Sequence, residues 1–133
     1  MNRTVMVWAL AVGLGVGACG KSDNPRARRG GANEPSAQAV AEASQIFANR
    51  CTPCHGSTGG GDGPASQSLN PHPRNFHDKA WQAQVADEHL EKIVQYGGAA
   101  VGKSPAMPAN PDLQSKPQVI QALIQKVRSF GQK

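Results

Sequence analysis

The chain has 133 residues, room for one small domain, with 38% hydrophobic and 17% charged residues and a formal net charge of +5. From Ser36 onward nine basic residues stand against seven acidic ones, so most of the excess charge lies in the first quarter. No basic stripe with interleaved aromatics appears, which leaves no case for nucleic-acid binding.

Residues 1–18 read as an export signal. Arg3 supplies a basic start, and "TVMVWALAVGLGVGA" (Thr4 to Ala18) is an uncharged run of fifteen residues. A membrane-spanning helix needs about 20 residues. Small residues then lead to Cys19, as at a cleavage site. "VGAC", Val16 to Cys19, resembles the lipobox of bacterial lipoproteins. That resemblance implies lipidation of Cys19 as the first mature residue and a tether on the periplasmic side of a membrane, inner or outer. Cleavage by an ordinary signal peptidase, leaving a free thiol, stays open. An odd count of three cysteines favours lipidation, since a spare thiol is a liability in an oxidising compartment. Residues 19–35 have almost no large apolar side chain and read as a flexible linker. Lys21, Arg26, Arg28 and Arg29 in this region suit a solvated spacer, or contact with anionic headgroups.

Residues 36–133 form the predicted domain. It is small, rich in glycine and proline, and short of large apolar side chains, a composition that asks for a staple or a cofactor. A first helix is predicted over 36–50, capped by Ser36, with Val40, Ala43, Ile46 and Phe47 on its buried face. Residues 51–78 show no period. One or two helical turns are expected after Asp78. A further helix follows in "DEHLEKIVQYGG", with Leu90, Ile93 and Val94 inward and Gly97 as its stop. The last helix carries the clearest stripe: Val119, Ile120, Leu123, Ile124, Val127 and Phe130, with Ser115 and Gln118 as a capping box. No alternating strand pattern is present, so the fold class is all-α.

The chemistry-bearing stretch is "CTPCH", Cys51 to His55. A zinc site needs a second ligand pair, and His72, His77 and His89 do not form one. A thioredoxin-like dithiol expects a preceding strand, where this chain predicts a helix. The third chemistry is covalent haem attachment. Two thiols three residues apart can add to the two vinyl groups on one haem edge, and the adjacent His55 can supply an imidazole to the iron. The export signal agrees with it.

With these residues in hand, the chain resembles the small bacterial class I, mono-haem cytochromes c over 36–133. The resemblance rests on "FANRCTPCHG", "GDGP" and "SPAMP" in that order. It implies two crossing terminal helices, with loops wrapped around one haem c bound through Cys51 and Cys54. Ala43 stands where the family often has a glycine at that crossing. Lys126 stands where it has an aromatic, with Phe130 as a substitute. It also implies His55 and a distal methionine as axial ligands. Met107 is the only methionine left after removal of the signal, and it sits between two prolines. Histidine at 72, 77 or 89 is the rival ligand. The carbonyl of Pro64, nine residues past His55, is the implied acceptor for the second ring nitrogen. Arg74 and Trp81 are the implied donors to the haem propionates.

The function implied is one-electron transfer by a monomeric, membrane-tethered carrier that meets redox proteins transiently, and not catalysis. The alternatives are a haem sensor or peroxidase-like domain with an open distal site, or the electron-entry subunit of a larger complex.

Overall fold

A computed structural model describes residues 34–132. The signal region, Cys19 and nearly all of the linker lie outside them. Among the described residues five α-helices follow in order: α1 (Ala37–Ile46), α2 (Thr52–His55), α3 (Lys79–Gln84), α4 (Asp87–Tyr96) and α5 (Pro117–Phe130). A π-helical segment, Phe47–Cys51, joins α1 to α2, so helical backbone runs on through the cysteine pair. Short 3₁₀ turns stand at Ser66–Ser68, Ala99–Val101 and Pro111–Leu113. No strand occurs among the described residues, in keeping with the all-α reading.

The core is built on α5, which packs against both α1 and α4. All six residues of its predicted stripe are buried, with Ala122 beside them. Each large apolar side chain removed from water there contributes roughly 1.5–3 kcal/mol. Leu113, fully buried, and Phe76 extend the same cluster.

The start of α1 is as expected: Ser36 is extended, and its hydroxyl accepts from the Ala39 N–H at 3.2 Å. Its buried face is as expected at Ala43, Ile46 and Phe47 but not at Val40. Val40 is 44% exposed, and Ala39 lines the core with Ala43, Ile46 and Phe47. The expected and observed faces share Ala43, Ile46 and Phe47 and differ only in Val40 against Ala39. The one with alanine at both 39 and 43 puts the smaller side chains at the contact with α5.

The α5 capping box does not form. Lys116 is the cap residue and offers no side-chain bond; Pro117 opens the helix. Proline at the first helical position has no N–H to satisfy. Gln118 instead accepts from the Ser36 N–H at 3.4 Å, and Lys116 meets Glu42 at 2.6 Å. These residues tie the start of α5 to α1. On α4, Leu90 is buried, while Ile93 and Val94 are only half-buried.

At the α1–α5 crossing, Phe47 and Phe130 meet with ring centroids 5.4 Å apart. Lys126 lays its ammonium over both rings, 5.1 Å from one centroid and 5.7 Å from the other. Phe130, one turn on, thus supplies an aromatic where the resemblance expected one at 126, and the lysine covers the pair.

Candidate functional site

Cys51 and Cys54 lie on consecutive helical backbone, one at the end of the π-helical segment and one on α2, with His55 next in line. Three residues apart on a helix, the two thiols share a face. The hydroxyl of Thr52 holds the junction by donating to Phe47 O at 3.1 Å. Both cysteines are half-buried and neither is in a disulfide. Burial pushes the Cys51 thiol up to about 11, against a smaller opposing pull from Arg50. A redox dithiol needs a thiol pushed the other way. Among the described residues no group of three or more His, Cys, Asp or Glu is gathered to hold a metal ion. His77 is committed elsewhere, its Nδ1 3.0 Å from Phe130 O.

The glycine-rich return after His55 runs back along α2. Gly61 N–H donates to His55 O at 2.8 Å, Gly63 N–H to Cys54 O at 3.1 Å, and Ala65 N–H to Pro53 O at 2.8 Å. Pro64 sits in this return, exposed. Its expected role falls to another residue: the Nδ1 of His55 lies 3.2 Å from the carbonyl of Arg74. The return spends its N–H groups on the helix carbonyls, and the ring finds its acceptor nineteen residues along the chain. A carbonyl only accepts, so Nδ1 carries the proton and Nε2 of the neutral ring keeps a lone pair. Burial holds the imidazole below the ordinary histidine value, with the Arg74 carbonyl pulling upward. A neutral imidazole with Nδ1 engaged and Nε2 available as a donor is what a metal-binding histidine requires. The residues present therefore fit a haem held by two thioethers and one imidazole.

Phe76 was not singled out in the sequence. It is buried and stacks on the His55 ring at 4.6 Å, with the planes 14° apart. The only signal for it was an aromatic two residues past Arg74. Arg74 and Trp81, each an implied propionate donor, lie in contact. The guanidinium lies 5.5 Å from the indole centroid and 3.5 Å from Asp78, which caps α3.

Met107 is half-buried in a loop fastened to the end of α4. Gly98 N–H donates to Met107 O at 3.0 Å, and Met107 N–H to Ser104 O at 3.2 Å. Gly97 has φ 79°, and a Cβ there would stand 2.9 Å from Met107 O, so glycine both stops α4 and admits the loop. Asn110 closes the loop, its N–H donating to Gln95 O at 3.0 Å and its Nδ2 to Val94 O at 2.8 Å. Asn110 and its partner Arg50 were also missed, because they stand sixty residues apart and no sequence spacing pairs them.

The Cytochrome c family profile matches residues 40–129, more than half of the chain. Among solved structures, "KustC0563 c-type cytochrome" is similar, with 26% identity and a TM-score of 0.49, covering 66% of this chain and 95% of that one. No curated protein matches the chain in sequence. The chain belongs to the cytochrome c family, electron-transfer proteins that carry haem c on the two cysteines of such a motif, here Cys51 and Cys54.

Proposed function

We propose that this chain is a bacterial mono-haem electron carrier with His55 and Met107 as axial ligands, tethered through Cys19 to the periplasmic side of a membrane. One observation carries the ligand reading: His55 follows the cysteine pair with Nδ1 committed to a carbonyl, which leaves Nε2 for the iron. Bound haem c supplies a one-electron couple. The protein's part is to hold that couple with both axial positions filled. Met107 suits the second position because Gly97, Gly98 and Asn110 fix its loop and two prolines stiffen it. Thioether ligation favours the reduced form relative to a second histidine. With no coordination position open, the chain transfers electrons and does not transform a substrate. Arg74 and Trp81, already in contact, suit the haem propionates as donors.

The single "CTPCH" supports one haem, and "VGAC" supports a lipid tether that raises the local concentration near membrane partners. Redox proteins would dock weakly at the haem edge held by the cysteines.

The optical spectrum of the oxidised protein tests the ligands. The far-red sulfur-to-iron band is expected in wild type and absent in Met107→Ala. Rapid stoichiometric binding of carbon monoxide to the reduced wild-type protein would instead indicate an open site and a sensor. Labelling with a radioactive fatty acid, lost in Cys19→Ser, tests the tether.

A further inference from the structure

Two groups from residues 73–78 meet the His55 ring, and they constrain it in different ways. The Arg74 carbonyl at 3.2 Å fixes which way Nδ1 points. The Phe76 ring, 14° from parallel at 4.6 Å, fixes the rotation of the imidazole plane. The ring's terminal torsion is soft by itself. Together the two contacts remove most of that freedom.

Both groups are themselves held. Phe76 N–H donates to Gly59 O at 2.8 Å. Phe76 O accepts from Nε2 of Gln82 at 2.8 Å, and the same amide nitrogen reaches Val127 O on α5 at 2.9 Å. Arg128 orients that amide, donating to Gln82 Oε1 at 3.1 Å. On the other flank stands Gly61, with φ 81°. A Cβ there would lie 2.5 Å from Pro73 O and 3.4 Å from Arg74 O. The clash would be with Pro73 O, so the Pro73–Arg74 backbone that carries the acceptor carbonyl can pass this close only because position 61 has no side chain.

We infer that Gly61 and Phe76 are positioning residues for the proximal imidazole: Gly61 admits the carbonyl that sets its basicity, and Phe76 sets its plane. The inference rests on His55 being the axial ligand. A carbonyl accepting from Nδ1 makes the imidazole a stronger donor and favours the oxidised couple. Withdrawing that carbonyl raises the reduction potential. Turning the ring changes the magnetic anisotropy of the oxidised centre.

The test uses the haem-loaded protein in four variants. Gly60→Ala is the control, since the three atoms nearest a Cβ there all belong to the side chain of exposed Asp62. Gly61→Ala is expected to raise the midpoint potential and to speed solvent exchange of the His55 Nδ1 proton in NMR. Phe76→Leu, which keeps an apolar side chain at 76, is expected to shift the electron paramagnetic resonance g-values of the oxidised protein. Gly60→Ala should change neither. If Gly61→Ala and Phe76→Leu both match Gly60→Ala in potential, exchange and g-values, the clamp is overturned. If Gly61→Ala does not mature, the g-values of Phe76→Leu decide alone. His55→Ala separates the two readings: a variant that keeps the wild-type low-spin spectrum overturns the ligand assignment itself, and with it the clamp.

Discussion

Arg50 and Asp112 face each other with two parallel hydrogen bonds, Nη1 to Oδ1 at 2.9 Å and Nη2 to Oδ2 at 3.0 Å. Arg50 immediately precedes the first haem cysteine, and Asp112 lies five residues past Met107. Nη1 also reaches Asn110 Oδ1 at 3.1 Å. A single side chain therefore straps the cysteine-bearing segment to the end of the methionine loop.

The strap is pH-sensitive with a defined sign. The Arg50 guanidinium holds the Asp112 carboxyl below its ordinary value of 3.8. A depressed carboxyl contributes stability that is present above the ordinary value and lost as pH falls through the folded one. Asp112→Asn should therefore lower the denaturant midpoint at neutral pH and match wild type in strong acid. Both partners are exposed, so the difference should also shrink in high salt. A gap that persists unchanged in strong acid would show that the charge is not what the strap uses.

Leu113 is fully buried beside the strap. Truncation to alanine there should cost about 2–5 kcal/mol, the range for a leucine removed from a packed core. Chemical denaturation of the haem-loaded protein measures it. A cost under about 1 kcal/mol would mean that the site collapses around the lost atoms.

Arg128 donates to Asp87 Oδ1 at 2.6 Å, Val85 O at 2.6 Å and Gln82 O at 2.7 Å, joining α5 to the α3–α4 connection. Bonds to a charged group contribute about 1.5–3 kcal/mol each before losses elsewhere. Arg128→Ala should destabilise by about 2–3 kcal/mol. Arg128→Lys should recover only part of that, because an ammonium lacks the planar fork. Equal thermal midpoints for the lysine variant and wild type would leave charge alone as the cause.

Lys126 holds its ammonium over the Phe47–Phe130 pair, and its stem is expected to cover the rings. Lys126→Met keeps the stem and should cost about 0.5–1 kcal/mol, the cation–π contribution at a half-exposed site. Lys126→Ala should cost more, since it uncovers the rings. If the two variants unfold at the same denaturant concentration, the stem covers nothing.

Much of this protein was decided by short-range pattern. The α5 stripe, the Ser36 and Asp78 caps, the Gly97 stop and the haem motif each depend on residues within a few positions of one another. Helical periodicity and capping chemistry are local, so the chain specifies them alone. The rest depends on pairs far apart in sequence. The carbonyl on His55 comes from nineteen residues away, where the resemblance implied Pro64. The strap from Arg50 spans sixty-two residues, and His77 reaches Phe130 across fifty-three. The choice of Ala39 over Val40 at the α1 contact waited on the helix that packs there. Such pairings exist only once α5 has brought the loops onto α1 and α4, because an acceptor's identity follows from distance in space and not from position in the chain.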